Sequence, residues 1–219
     1  SILSATGIIK NIDYSIFDVK LFYINRTNQW FFLGKFESAP EEISRNYNHP
    51  YNPLHLRKEV DVVFPITHGP FGEDGRYQAI FDIQELPYVG CNVLSSAISM
   101  DKAISKDLFK ANMIPQAKYL YFTESDYAQS SKSISSKIDE QLGFPCFVKP
   151  ANMGSSVGIS KVNDASELNT ALQEAFRHDS KDVVEEFIEG RELEIGFLGN
   201  NDFLLSTVGE IRTGSNFYD

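Results

Sequence analysis

The sequence has little cysteine: Cys91 and Cys146 are the two thiols among 219 residues. They fall in separate apolar segments without metal-ligand spacing, so they read as buried free thiols rather than a disulfide or a zinc site. Proline is held to nine residues, low-complexity sequence to a Ser-rich piece over 130–136, and there is no internal repeat, which excludes a disordered or repetitive chain. Long apolar runs are missing too. Val62-Val63-Phe64-Pro65-Ile66 is among the longest and falls far short of the roughly 20 residues that span a bilayer. No signal-peptide pattern opens the chain, and the expectation is a cytoplasmic protein with no membrane partner. Basic clusters are also absent. Thirty acidic against twenty basic residues leave a net charge of −10, which argues against a nucleic-acid partner but not against small anions, because a pocket can be locally basic.

What is present is 42% hydrophobic residues with 17 Phe and 10 Tyr, enough apolar material for more than one globular domain. Both ends read as cut: Ser1 leads directly into helix-like Ile2-Leu3-Ser4-Ala5, and Asn216-Phe217-Tyr218-Asp219 follows a strand-like segment. The chain is therefore expected to be a fragment, or the ordered part of something longer.

Apolar runs over 17–24 and 29–33, separated by turn-like Asn25-Arg26-Thr27-Asn28, predict a hairpin. Residues 37–56 show no period and read as loop or short helix. Residues 60–65 predict a buried parallel strand, whose carboxyl-terminal loop, His68-Gly69-Pro70-Phe71-Gly72-Glu73-Asp74-Gly75, is a natural ligand position. A helix over 76–85, a short strand over 87–90, a helical stretch over 95–111 interrupted near Met100-Asp101, and a strand over 117–122 follow. Thr123-Glu124-Ser125-Asp126 and Asp164-Ala165-Ser166-Glu167 are capping-box patterns, each opening a helix. The second helix carries Leu168, Ala171, Leu172, Ala175 and Phe176 on one face. Further strands are predicted over 144–150, 182–187, 192–198 and 203–211.

The most informative segment is Lys149-Pro150-Ala151-Asn152-Met153-Gly154-Ser155-Ser156-Val157-Gly158-Ile159. A Gly/Ser loop brings backbone N–H groups against phosphate oxygens while the adjacent ammonium neutralises their charge; the competing reading is a plain hairpin tip. A strand follows it, so this is not a Walker motif. Lys102, opening a helix, is either a second phosphate contact or a solvated surface charge. Val183-Val184-Glu185-Glu186-Phe187-Ile188 suits an adenine edge held by backbone groups, or an ordinary edge strand. His68, with Glu73 and Asp74 close behind, sits where a small polar substrate would meet an imidazole and carboxylates. His49, His55 and His178 are given no role beyond a helix-dipole contact for His178.

Taken together, these segments resemble the D-alanine–D-alanine ligase family of ATP-grasp enzymes. The markers, in order, are Val63-Phe64-Pro65-Ile66-Thr67-His68-Gly69 with Gly72-Glu73-Asp74-Gly75, then Leu86-Pro87-Tyr88-Val89-Gly90, Ser99-Met100-Asp101-Lys102, Phe147-Val148-Lys149-Pro150 and Gly154-Ser155-Ser156-Val157-Gly158. The resemblance implies an α/β with α+β chain: an ATP-grasp fold preceded by a Rossmann-like amino-terminal domain. The implied domains are 1–98, 99–184 and an incomplete carboxyl-terminal domain, 185–219. It implies ATP-dependent joining of two D-alanines through an acylphosphate for peptidoglycan synthesis, with Mg²⁺ and a homodimeric assembly. Lys102, Lys149 and Ser156 then look like phosphate contacts, Glu185, Glu186, Phe187 and Ile188 like the adenine hinge, and Glu192 like the ribose carboxylate. His68 and Ser155 look like catalytic-site groups. The family's substrate-anchoring glutamate, its first strand, the Ω-loop tyrosine and the metal ligands would fall outside residues 1–219, so no metal ligand is assigned and the isolated chain is expected not to ligate D-alanine. A D-alanine–D-lactate or D-alanine–D-serine ligase, or a non-catalytic nucleotide-binding module, would share the same motifs.

Overall fold

The computed structural model describes residues 2–212 apart from 42 and 44–47, and divides the chain into two compact units, Ser1–Ser99 and Met100–Asp219. In the first unit, a helix α1 (Ile2–Asn11) precedes the hairpin of β1 (Val19–Ile24) and β2 (Trp30–Phe36), to which β3 (Pro50–Tyr51) adds in the order β1-β2-β3. The turn closes through the Asn25 side chain, which accepts the N–H groups of Thr27 and Gln29 at 2.9 Å each. Such local Asn bonds are why Asn-rich tetrapeptides turn. Trp30 meets the Tyr77 ring edge-on at 5.4 Å, and with Leu56, Phe81 and Leu86 forms a buried cluster beneath α2 (Arg76–Ile83). The helix α3 (Val93–Met100) closes the unit. Gly75, at φ +92°, caps α2 where a Cβ would lie 2.7 Å from the Val93 carbonyl oxygen, so both conformation and space demand glycine.

Two expectations are corrected here. Residues 60–65 are not a buried strand: only Val63 bridges to Tyr88 in parallel, and Val62 and Phe64 are 49% and 56% exposed. A strand is built by neighbours, and among the described residues this run has one bridging partner only. Cys91 is exposed, whereas Cys146 is buried, and burial pushes the Cys146 thiol up to about 11.

The second unit begins with α4 (Lys102–Ala111), whose Asp101 cap accepts the N–H groups of Ala103 and Ile104. It continues through β4 (Tyr119–Thr123), α5 (Glu124–Gln141), β5 (Cys146–Pro150), β6 (Ser160–Val162), α6 (Ala165–Phe176) and β7 (Lys181–Glu186). The four strands form an antiparallel sheet in the order β4-β7-β5-β6. Side chains alternate along β7, so Val184 enters the main core with Tyr127, Ile138, Leu168, Leu172, Cys146 and Val148, while Val183 packs with Ala103 and Ala151. One sheet face is thus covered by α5 and α6, and the other carries α4.

The first capping box forms as read: the Thr123 hydroxyl accepts the Asp126 N–H, and Asp126 accepts the Thr123 N–H. The second forms differently. Asp164 accepts the Ser166 N–H at 2.8 Å, and Glu167 reaches past the cap to the Asn163 N–H at 2.7 Å. The strands expected over 192–198 and 203–211 are each broken in two, giving β8 (Glu192–Glu194), β9 (Phe197–Gly199), β10 (Phe203–Leu205) and β11 (Gly209–Ile211). The break falls where the Ser206 hydroxyl, rather than a carbonyl, accepts the Gly196 N–H at 2.7 Å. The pairs are β9 with β10 and β8 with β11. Ser1 and residues 216–219, read above as chain ends, lie outside the described residues. No helix among the described residues is long and apolar enough to cross a membrane.

Candidate functional site

The face of the second unit's sheet that carries α4 gathers Lys149, Glu185, Lys102 and Lys106. Lys149, one residue before the end of β5, donates from Nζ to Glu185 Oε2 at 2.8 Å, across the β5–β7 ladder. Lys106 of α4 lies 3.4 Å from the other carboxylate oxygen of Glu185, Oε1. All three side chains are largely buried, at 22%, 12% and 13% side-chain exposure for Lys149, Glu185 and Lys106. Burial raises the Glu185 carboxyl, but Lys149 and then Lys106 outweigh it and leave the group below the ordinary glutamate range. Lys102, one helical turn before Lys106, donates to the Ala151 carbonyl at 3.4 Å and also to that of Met153. Burial, and next the Lys149 ammonium, lower its affinity for a proton below that of an ordinary lysine. A second pair, Lys181 with Asp101 at 2.5 Å, ties the start of α4 to β7.

Two cations confined near one buried carboxylate, beside a third, make a surface suited to an oligoanion: a phosphate chain would meet ammonium groups already desolvated and positioned. The adjoining loop fits this use. Ser155 and Ser156 both hold positive φ, +51° and +57°, and the Val157 N–H donates to the Gly154 carbonyl at 3.2 Å, a tight left-handed turn between β5 and β6. Left-handed backbone at consecutive serines costs on the order of 1–2 kcal/mol each, which is the kind of strain concentrated in ligand loops. Gly158, at φ +72°, closes the loop where a Cβ would lie 2.7 Å from the His178 ring and 2.8 Å from Pro150. Gly158→Ala is therefore expected to destabilise the protein by about 1–3 kcal/mol. Thermal melting tests this, and an unchanged midpoint would show that the loop does not pack against His178 and Pro150 as described.

The predicted site residues divide. Lys102, Lys149 and Glu185 come together on one face. Glu186 points away, its carboxylate accepting the Lys118 N–H at 2.7 Å at the neighbouring edge. Phe187 lies against Phe147, 6.1 Å between centroids, with the Lys161 ammonium 4.2 Å from its ring centre. Ile188 follows the end of β7 and is 63% exposed, and Glu192 is exposed in β8 opposite Ile211. His68 is exposed in the first unit. There the carboxylates placed beside it serve the loop itself: Glu73 accepts the Gly69 N–H and Asp74 the N–H groups of Phe71 and Arg76.

Sequence reasoning missed Lys106. The signal was available, because positions 102 and 106 are four apart and share a face of one helix. Also missed was Asp182, fully buried in β7 with neither carboxylate oxygen partnered among the described residues; burial, then Asp179 and Glu124, push its carboxyl up to about 8.

The mixed α/β fold is similar to that of D-alanine ligases of the ATP-grasp family. The structure superimposes on the VanG D-Ala:D-Ser ligase of Enterococcus faecalis with a TM-score of 0.85, at 32% identity, over 100% of this chain and 67% of that one. The D-alanine-D-alanine ligase of Coxiella burnetii gives 0.81 at 30% identity, over 96% and 66%. Residues 1–91 match the model for the D-ala D-ala ligase N-terminus and residues 108–219 that for the C-terminus, so the chain belongs to the D-alanine–D-alanine ligase family. The D-alanine–D-alanine ligase of Acetivibrio thermocellus is 42% identical over 99% of this chain, and that of Halothermothrix orenii 41% over 100%. The chain spans 65% and 66% of the lengths of these two relatives.

Proposed function

We propose that the protein is an ATP-dependent ligase joining two D-alanines in the synthesis of a peptidoglycan precursor. The observation that carries this reading is the convergence of Lys102, Lys149 and the residue 154–158 loop on one face of the second unit, in a chain of this family. In the proposed reaction, the carboxylate of one D-alanine takes the γ-phosphoryl of ATP, and ADP departs. The amine of the second D-alanine then attacks the acyl carbon, the C–N bond forms, phosphate leaves and the nitrogen loses a proton. A carboxylate resists amine attack; the acylphosphate supplies a leaving group.

In this reading Lys149 and Lys102 hold phosphate oxygens, offsetting the repulsion between ATP and an anionic substrate. Ser156 and its loop cover the β- and γ-phosphates, with Ser155 toward the reacting groups. Residues 185–188 flank adenine and Glu192 takes the ribose, while His68 orients the first D-alanine. Mg²⁺ belongs to this reading, with its ligands expected outside residues 1–219; no group of three or more His, Cys, Asp or Glu among the described residues could hold a metal ion, and no residue named here is assigned to it. A homodimer accompanies the proposal.

The test is phosphate release from ATP by the full-length protein with D-alanine, and separately with D-alanine plus D-serine or D-lactate. Release with D-alanine alone, giving the dipeptide, supports the reading. Release only in the presence of D-serine would favour the second substrate suggested by the likeness to VanG. No release and no ATP binding would overturn both.

A further inference from the structure

We propose that Lys106 is a positioning residue for nucleotide binding: it keeps the buried Glu185 carboxylate paired when Lys149 turns from that carboxylate to a phosphate. This deepens the reading above and rests on it.

The two oxygens of Glu185 are shared between two different ammonium groups, Lys149 at 2.8 Å on Oε2 and Lys106 at 3.4 Å on Oε1. If Lys149 serves a triphosphate, it must loosen the shorter of these pairs. A carboxylate at 12% side-chain exposure that loses its sole cation is strongly unfavourable, because it is left desolvated and uncompensated. A second cation already in place removes that obstacle. Lys106 is built to stay. Its ammonium lies 5.2 Å from the centre of the Tyr119 ring, and the Tyr119 hydroxyl donates to Asp107, the next residue of α4, at 2.6 Å. Asp107 also accepts from Tyr121 at 2.9 Å, and Asp101 at the start of α4 holds Lys181. The helix and the strand beneath it therefore fix Lys106 against Glu185 independently of Lys149. Lys102 does not substitute, since its ammonium donates to the Ala151 and Met153 carbonyls and in this reading turns to the phosphates as Lys149 does.

The obligation to release Lys149 exists only for a ligand with phosphates, and this separates a positioning role from a structural one. The experiment uses the full-length protein as wild type, Lys106→Met and Lys106→Arg, with calorimetric titration of Mg-ATP and of adenosine and a thermal melt of each. Lys106→Met is expected to weaken ATP on the order of tenfold while adenosine changes by less than about threefold, and Lys106→Arg to recover most of the ATP affinity. Unchanged ATP affinity in Lys106→Met would overturn the proposal, and so would equal losses for ATP and adenosine with a lowered melting midpoint. Absence of ATP binding by the wild type would instead overturn the nucleotide reading on which it stands.

Discussion

Lys149→Met in the full-length protein is expected to weaken ATP binding by tenfold or more and to lower kcat/KM further still. A charge-assisted contact between an ammonium and a phosphate contributes about 1.5–3 kcal/mol, which is roughly ten- to more than a hundredfold in affinity. Additional loss in rate follows if Lys149 contacts the phosphoryl group during transfer, when charge is redistributed onto its oxygens. The fold itself has less to lose, because Glu185 retains Lys106 when Lys149 is removed. The melting midpoint without nucleotide should move by only a few degrees. Titration calorimetry and steady-state phosphate release measure the two effects. Full ATP affinity in a well-folded Lys149→Met protein would reduce Lys149 to a partner of Glu185 and remove the chief support for the phosphate site.

The second large effect concerns stability against pH. Asp182 is 0% exposed, paired in register with Phe122 on one side and Pro150 on the other, and burial, then Asp179 and Glu124, push its carboxyl up to about 8. In the unfolded chain an aspartate titrates near 3.9. Between those two values the native protein holds a proton that the unfolded chain has released, so stability present below about pH 4 is lost as pH rises through about 8. The slope from this one group is at most about 1.4 kcal/mol per pH unit. Asp182→Asn keeps the shape and has no proton to lose. It should therefore gain stability over the wild type as pH rises, reaching about 2 kcal/mol or more near pH 8. Urea unfolding of both proteins at pH 5, 6.5 and 8 gives the difference directly, and parallel profiles would show that Asp182 is ionised in the native state with partners or solvent of its own.

Interactions between residues near one another in sequence formed as those residues require. The apolar face of α6, Leu168, Ala171, Leu172, Ala175 and Phe176, is buried as its spacing requires, and Thr123 and Asp126 cap α5 reciprocally. The break between α3 and α4 falls at Asp101, which caps α4. Each of these depends on residues within a turn or two of one another, where periodicity and side-chain chemistry act directly on the backbone. The turn of Asn25 to the hairpin strands is equally local.

Contacts between residues far apart in sequence were not legible in the same way. Glu185 was read as facing a ligand, and its partnership with Lys149, 36 residues away, exists because the β5–β7 register sets Phe147 opposite Glu185 and Lys149 opposite Val183. Lys106 joins them only because α4 lies on that face of the sheet. Exposure was decided likewise: Cys91, Val62 and Phe64 are apolar in sequence yet lie at the surface, while Asp182, polar in sequence, lies inside. By itself the sequence determined where helices begin, which faces they bury, the position of the Gly/Ser loop after a strand-ending lysine, and the family motifs. The tertiary structure alone decided which charges neutralise one another and which polar groups are stripped of water, because desolvation and Coulomb pairing depend on distance through space, and strand register and helix placement set that distance.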